Sequence, residues 1–145
     1  MSARLCCLVL LLGATGMAAA PMRPNLVVIM ADDMGYGDAS CYGNTAYRTP
    51  HLDRLAAEGL KFTDFHSSGS VCSPTRAGLL TGRYQQRFGF YSGGDSRIGL
   101  PRSEVTIAEL LKSHGYQTCH LGKWHLGMTS GQRKKPDPSD HGFDY

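Results

Sequence analysis

Nothing beyond Ala20 in this chain is apolar for long enough to cross a bilayer as a helix, so no membrane-spanning helix is expected in it. Charge of either sign is also scarce: 15 basic and 12 acidic residues leave a formal net charge of +3. That balance is too small to indicate nucleic acid or an anionic membrane as partner. The one basic run, Arg133-Lys134-Lys135, precedes Pro136-Asp137-Pro138 and reads as a solvated loop. No Asn-x-Ser/Thr acceptor, internal repeat or low-complexity tract occurs. What is left is the composition of an ordinary globular domain, 41% hydrophobic and 19% charged, and 145 residues suffice for one modest core.

Residues 1–20 read as a signal peptide. Arg4 supplies the positive start, Leu5 to Leu12 the apolar stretch, and Ala18-Ala19-Ala20 the small-residue cleavage zone. The chain is therefore expected in a secretory or export route. Cys6 and Cys7 would leave with the peptide, and Cys41, Cys72 and Cys119 would remain. An odd number in an oxidising compartment flags one special thiol.

Residues 21–145 carry an alternating pattern. Leu26-Val27-Val28-Ile29-Met30 has the unbroken apolar character of a parallel strand buried on both faces. Thr49-Pro50 opens a helix with Leu52, Leu55 and Ala56 on one face and Gly59 at its end. Leu60 to Phe65 is expected extended. Ser73 as N-cap and Pro74 in the first turn predict a helix to Thr81, stopped by Gly82. Gly89 to Gly99 reads as a loop. Ser103 is expected to cap a third helix with Ile107, Leu110 and Leu111 inward, and Tyr116 to Leu121 to return as a strand. Strands alternating with helices predict an α/β fold, a mostly parallel sheet flanked by helices.

Three segments follow predicted strands, and ligands in open α/β sheets sit at such carboxyl ends. The first is Asp32-Asp33, adjacent anions that repel unless a cation neutralises them, which suits a hard divalent metal. Asp38 nearby reads as a turn residue. The second is Cys72-Ser73-Pro74-Thr75-Arg76, a thiol before the positive end of a helix with a guanidinium fork in the first turn. Three residues separate Cys72 from Arg76, too few for the phosphate-binding loop of tyrosine phosphatases. The third is Lys123-Trp124-His125: if the chain stays extended, Lys123 and His125 share a face and Trp124 packs away from them. His51, His66, His114, His120 and His141 have no comparable setting.

Cys72-x-Pro74-x-Arg76 followed by Ala77-Gly78-Leu79-Leu80-Thr81-Gly82-Arg83 resembles the signature of the type I, formylglycine-dependent sulfatases. Pro24-Asn25 to Asp38, Gly122-Lys123-Trp124-His125-Leu126-Gly127 and His141-Gly142-Phe143-Asp144 match the same family in the same order. Arylsulfatases and N-acetylgalactosamine-6-sulfatase-like enzymes fit equally well. The resemblance implies an alkaline-phosphatase-like fold and a sulfuric ester hydrolase acting on aryl or sugar sulfates. It implies Cys72 converted to formylglycine by the formylglycine-generating enzyme, and one Ca²⁺ held by Asp32, Asp33 and an oxygen of the modified Cys72. Arg76, Lys123 and His125 complete the catalytic set, Lys123 and His125 contacting the sulfate and the formylglycine hydroxyl. In the implied mechanism one hydroxyl of the hydrated aldehyde attacks sulfur and the second, giving its proton to His125, expels sulfate.

The resemblance also sets expectations about completeness. The family's second Asp-Asn metal pair and a further His and Lys have no counterpart here, so 21–145 reads as the N-terminal part of a catalytic domain, inactive alone and with an incomplete sheet. A lysosomal or extracellular destination is implied, or a periplasmic one in a bacterium. Two other readings stay open: a phosphonate or phosphate monoester hydrolase of the same superfamily, and a non-catalytic secreted fragment.

Overall fold

The computed structural model describes residues 23–127 and 136–145. The predicted signal peptide and the Arg133–Lys135 run lie outside them. The chain divides into two compact units, one ending at Met30 and the other running from Ala31 to Tyr145. In the first, residues 23–30 form no strand and every side chain is exposed, Ile29 at 89%. The expected doubly buried strand is thus not formed: an extended segment becomes a strand only when neighbours take up its N–H and C=O groups. Among the described residues there is no β-strand at all.

The second unit is built on three α-helices joined by short 3₁₀ turns: α1 (Pro50–Glu58), α2 (Cys72–Thr81) and α3 (Ile107–Ser113). Pro50 opens α1 with the preset φ of a first-turn proline, and the Gly59 N–H closes it on the Leu55 carbonyl. Its expected inward face stays open, with Leu52 42% and Leu55 67% exposed. Polar contacts hold α1 instead. The Ser40 hydroxyl donates to the Asp53 carboxylate at 2.7–2.8 Å, and the Thr49 N–H donates back to Ser40 Oγ at 2.7 Å.

Helix α2 departs from expectation at its start. The N-cap is Val71, without a side-chain cap, so Cys72 is the first helical residue rather than the one before the helix. Ser73 is drawn away from capping because its hydroxyl donates to the His125 carbonyl at 2.9 Å. The end is as predicted: Gly82 at φ 63° closes the helix on Gly78. Ser73, Pro74, Ala77 and Gly78 are buried. Gly78 is needed for that approach, since a Cβ there would collide with Ser68 Oγ and lie 2.9 Å from Gln85 Oε1. Ala77, Phe90, Leu100 and Leu126 form the core, with Leu80, Phe88 and Trp124 packed on it.

Helix α3 begins later than Ser103 suggested. Thr106 is its N-cap, in a reciprocal box with Glu109: the Glu109 N–H donates to Thr106 Oγ1 at 3.2 Å and the Thr106 N–H to Glu109 Oε2 at 2.7 Å. The buried face accordingly centres on Ala108, while Ile107 and Leu110 are exposed. The Tyr116–Leu121 segment pairs only locally, Asp144 N–H to the Thr118 carbonyl at 2.9 Å and His120 N–H to that of Tyr145 at 2.8 Å. Those bonds, with Leu100 N–H to the Leu126 carbonyl at 2.6 Å, lay the 122–126 loop across the start of α2.

Candidate active site

Asp32 stands between two cations. Lys123 Nζ donates to its Oδ2 at 2.7 Å and Arg76 Nη2 to its Oδ1 at 3.3 Å. Arg76 Nη1 also donates to the Lys123 carbonyl at 2.7 Å, so residues 91 positions apart (Asp32 and Lys123) are tied through one guanidinium. The Lys123 hydrogen bond holds the Asp32 carboxyl below the ordinary carboxylate range, partial burial opposing and Arg76 adding to it. The same bond to Asp32 raises Lys123, against burial, and a thiolate at Cys72 would raise it further. Arg76 is mostly buried, 12% exposed in its side chain, and its Nε has no partner. A buried N–H without an acceptor is a donor that an oxyanion can satisfy.

Backbone strain marks the same place. Among the described residues only Asp33 and His125 are non-glycine residues at positive φ, both at 56°. Such conformations cost on the order of 1–3 kcal/mol and cluster where function demands them. For His125 this overturns the extended Lys123-Trp124-His125 segment expected from spacing. The chain turns at His125, Trp124 faces the core and the Lys123 ammonium faces Asp32. His125 is half-buried with an unpartnered, buried Nδ1. Cys72, also half-buried and a free thiol, heads α2 next to Ser73. The structure therefore joins Asp32, Arg76 and Lys123 directly and links Cys72 to His125 through Ser73. Asp33 is the chain neighbour of Asp32, with its side chain in solvent.

The donors have the right character for Ca²⁺, hard carboxylate oxygens that need a cation, but they are too few. No group of three or more His, Cys, Asp or Glu side chains converges among the described residues, whereas Ca²⁺ takes about six to eight oxygens. The residues present fit part of a calcium site. Asp38, read as a turn residue, is one: its Oδ2 accepts the Gly35 N–H at 2.6 Å.

Two contributions were not visible in the sequence. Ser73 looked like a cap and is a strap. His141, given no role, is fully buried with its ring 5.7 Å from that of Trp124, behind Lys123 and His125. Burial pushes the His141 imidazole below its ordinary value, with Glu109 nearby opposing. His120 is lowered by burial and by the Arg76 charge, and its ring lies 5.3 Å from Trp124. The only sequence signal was the place of Ser73 and His141 inside the matched segments.

The sulfatase family profile matches residues 24–145, and the chain belongs to that family, a family of sulfuric ester hydrolases. It is 55% identical to human (Homo sapiens) arylsulfatase A over 118 residues, covering 79% of this chain and 23% of that protein. It is 50% identical to the steryl-sulfatase of Mus musculus over 137 residues, 86% of this chain and 22% of that protein. The chain thus spans about a quarter of the length of these curated relatives. A solved structure from a glycosaminoglycan-metabolism locus of Bacteroides thetaiotaomicron superposes with a TM-score of 0.75 at 41% identity, covering 85% of this chain and 27% of that one. The fold is the alkaline-phosphatase-like α/β fold of the sulfatases, of which the described residues hold helices and connections.

Proposed function

We propose that the full-length protein hydrolyses sulfate esters, aryl or carbohydrate, with residue 72 acting as a formylglycine. The observation that supports this most is the meeting of Arg76 and Lys123 on one carboxylate beside the N-terminus of a helix that begins with Cys72. Two fixed cations over a helix N-terminus make an anion seat, and here the Asp32 carboxylate lies in it. A sulfate group would take the Nε and Nη donors of Arg76 and the ammonium of Lys123. An aldehyde at residue 72, once hydrated, supplies one hydroxyl to attack sulfur and another to release sulfate. His125, whose carbonyl is tied to α2 through Ser73, would take the proton of the second hydroxyl. Asp32, Asp33 and a residue-72 oxygen would help hold Ca²⁺, which neutralises the paired carboxylates and adds positive charge for the leaving anion.

The modification calls for the formylglycine-generating enzyme as a maturation partner, and the leader-like residues 1–20 for a secretory route to the lysosome or cell exterior, or to the periplasm of a bacterium. No helix among the described residues is long and apolar enough to cross a membrane. A second reading rests on the same observation, because Arg and Lys donors accept any tetrahedral oxyanion. Turnover of matched sulfate, phosphonate and phosphate esters by the full-length protein separates the two. Mass spectrometry of the tryptic peptide ending at Arg76 tests the nucleophile: an aldehyde at residue 72 is expected, and an unmodified thiol with no sulfate turnover would overturn the reading.

A further inference from the structure

We propose that Ser73 is a positioning residue for His125: its hydroxyl holds the imidazole-bearing backbone in its left-handed conformation against the start of α2. The inference rests on the sulfatase reading only for what His125 does, not for how it is held. Ser73 is wholly buried at the start of α2 and caps nothing there. Its one bond reaches 52 residues along the chain, donating to the His125 carbonyl at 2.9 Å. His125 is the residue in the 122–126 loop whose φ, 56°, a side-chain-bearing residue adopts only under constraint.

The constraint can be traced atom by atom. A carbonyl held in place fixes the peptide plane that follows His125, and so its ψ. The next residue, Leu126, is wholly buried and its own carbonyl accepts the Leu100 N–H at 2.6 Å. Residue 125 therefore sits beside two anchored carbonyls, one on the nucleophile helix and one in the core. Without the Ser73 hydroxyl, the first carbonyl loses its donor in a buried setting and the residue is free to relax to negative φ. That swing redirects Cβ and the imidazole. A hydroxyl one residue after the nucleophile thus couples the two halves of the catalytic pair.

The test is a double-mutant cycle in the full-length protein, with each rate normalised to the formylglycine fraction found by mass spectrometry. Ser73→Ala should lower kcat for a sulfate ester about tenfold, the weight of one buried hydrogen bond that orients a reacting group. KM should stay within about twofold, since Arg76 and Lys123 still bind the anion. In a His125→Ala background the same change should alter kcat less than about twofold, and Ser73→Thr, which keeps the hydroxyl, should restore most of the single-mutant loss. Equal losses in both backgrounds, or none in either, would overturn the proposal. If the wild-type protein hydrolyses no sulfate ester, the functional reading fails by itself. Crystals of Ser73→Ala then decide the strap: His125 at negative φ upholds it, and His125 unmoved refutes it.

Discussion

Helices α1 and α2 are close in length, 9 and 10 residues, and each is closed by a glycine, yet they use their surfaces in opposite ways. α1 has the clearer apolar stripe and buries no residue; α2 has a mixed surface and buries four. The difference lies in how near the backbone can come. Gly78 and Ala77 let α2 approach Ser68, Gln85 and Leu126, while Ser73 and Arg76 tie its first turn to His125 and Lys123. α1 has only the Ser40–Thr49–Asp53 polar knot. An apolar stripe offers burial, but burial happens where small residues and directed hydrogen bonds bring two backbones together.

The sharpest way to break this contrast is through chemistry, because in the proposed function α2, and not α1, carries it. Cys72→Ser in the full-length protein should abolish multiple turnover, since serine offers one hydroxyl to accept sulfate and none to release it. Sulfate trapped on residue 72 would support this; normal steady-state turnover would refute it. Lys123→Ala should come next, lowering kcat/KM on the order of 100-fold, the roughly 3 kcal/mol that one charge-stabilising donor supplies. Leu55→Ala on α1 serves as the control and should leave the rate per folded molecule unchanged. An equal fall for Leu55→Ala would mean that α1 belongs to the site.

The fold class and a set of candidate site residues could be read from the sequence, while the placement of individual segments could not, for one physical reason. Cys72, Arg76, Lys123 and Asp32 announce themselves by residue type and order, and charges of opposite sign find each other across 91 positions. Helix ends at Gly59 and Gly82 were equally readable, because a glycine stop is a local event. Strands are not local: Leu26–Met30 has a strand's composition, but pairing depends on neighbours that a single segment does not encode. Ser73 was misread as a cap, and the burial of His141 was not visible, for the same reason. What they touch, His125 and Trp124, lies far along the chain.

Stability should sharpen the contrast where activity cannot. Leu126→Ala removes a wholly buried side chain beneath α2 and should cost about 2–5 kcal/mol in urea unfolding of the full-length protein. Leu55→Ala, from a side chain 67% exposed in α1, should cost under about 1 kcal/mol. Gly78→Ala should fall between them at about 1–3 kcal/mol, because the added methyl forces the Ser68 and Gln85 side chains to shift. Comparable losses for Leu55→Ala and Leu126→Ala would show that α1 is packed as deeply as α2 in the whole protein.

The smallest effect concerns pH and again sits on the α2 side. Burial lowers both His141 and His120 from the ordinary histidine value of 6.5. A depressed folded value means that the unfolded chain binds the proton first. The stability contributed by the neutral imidazoles is therefore complete above 6.5 and is lost as pH falls below it, toward the lowered folded values. Asp144 adds a separate, more acidic window. Its carboxylate is lowered by Lys112 and by Thr118, so its contribution is lost only as pH drops below the ordinary 3.8. Between about pH 7 and 5 these two histidines should contribute to the slope of melting temperature against pH. His141→Gln will lower the melting temperature at every pH by disturbing the Trp124 contact, so the absolute value decides nothing. The difference between pH 7 and pH 5 is the useful reading: it should shrink for His141→Gln relative to the wild type. An unchanged difference in His141→Gln would mean that the buried ring does not titrate on unfolding, and the α2 side would lose its claim to being the pH-sensitive half.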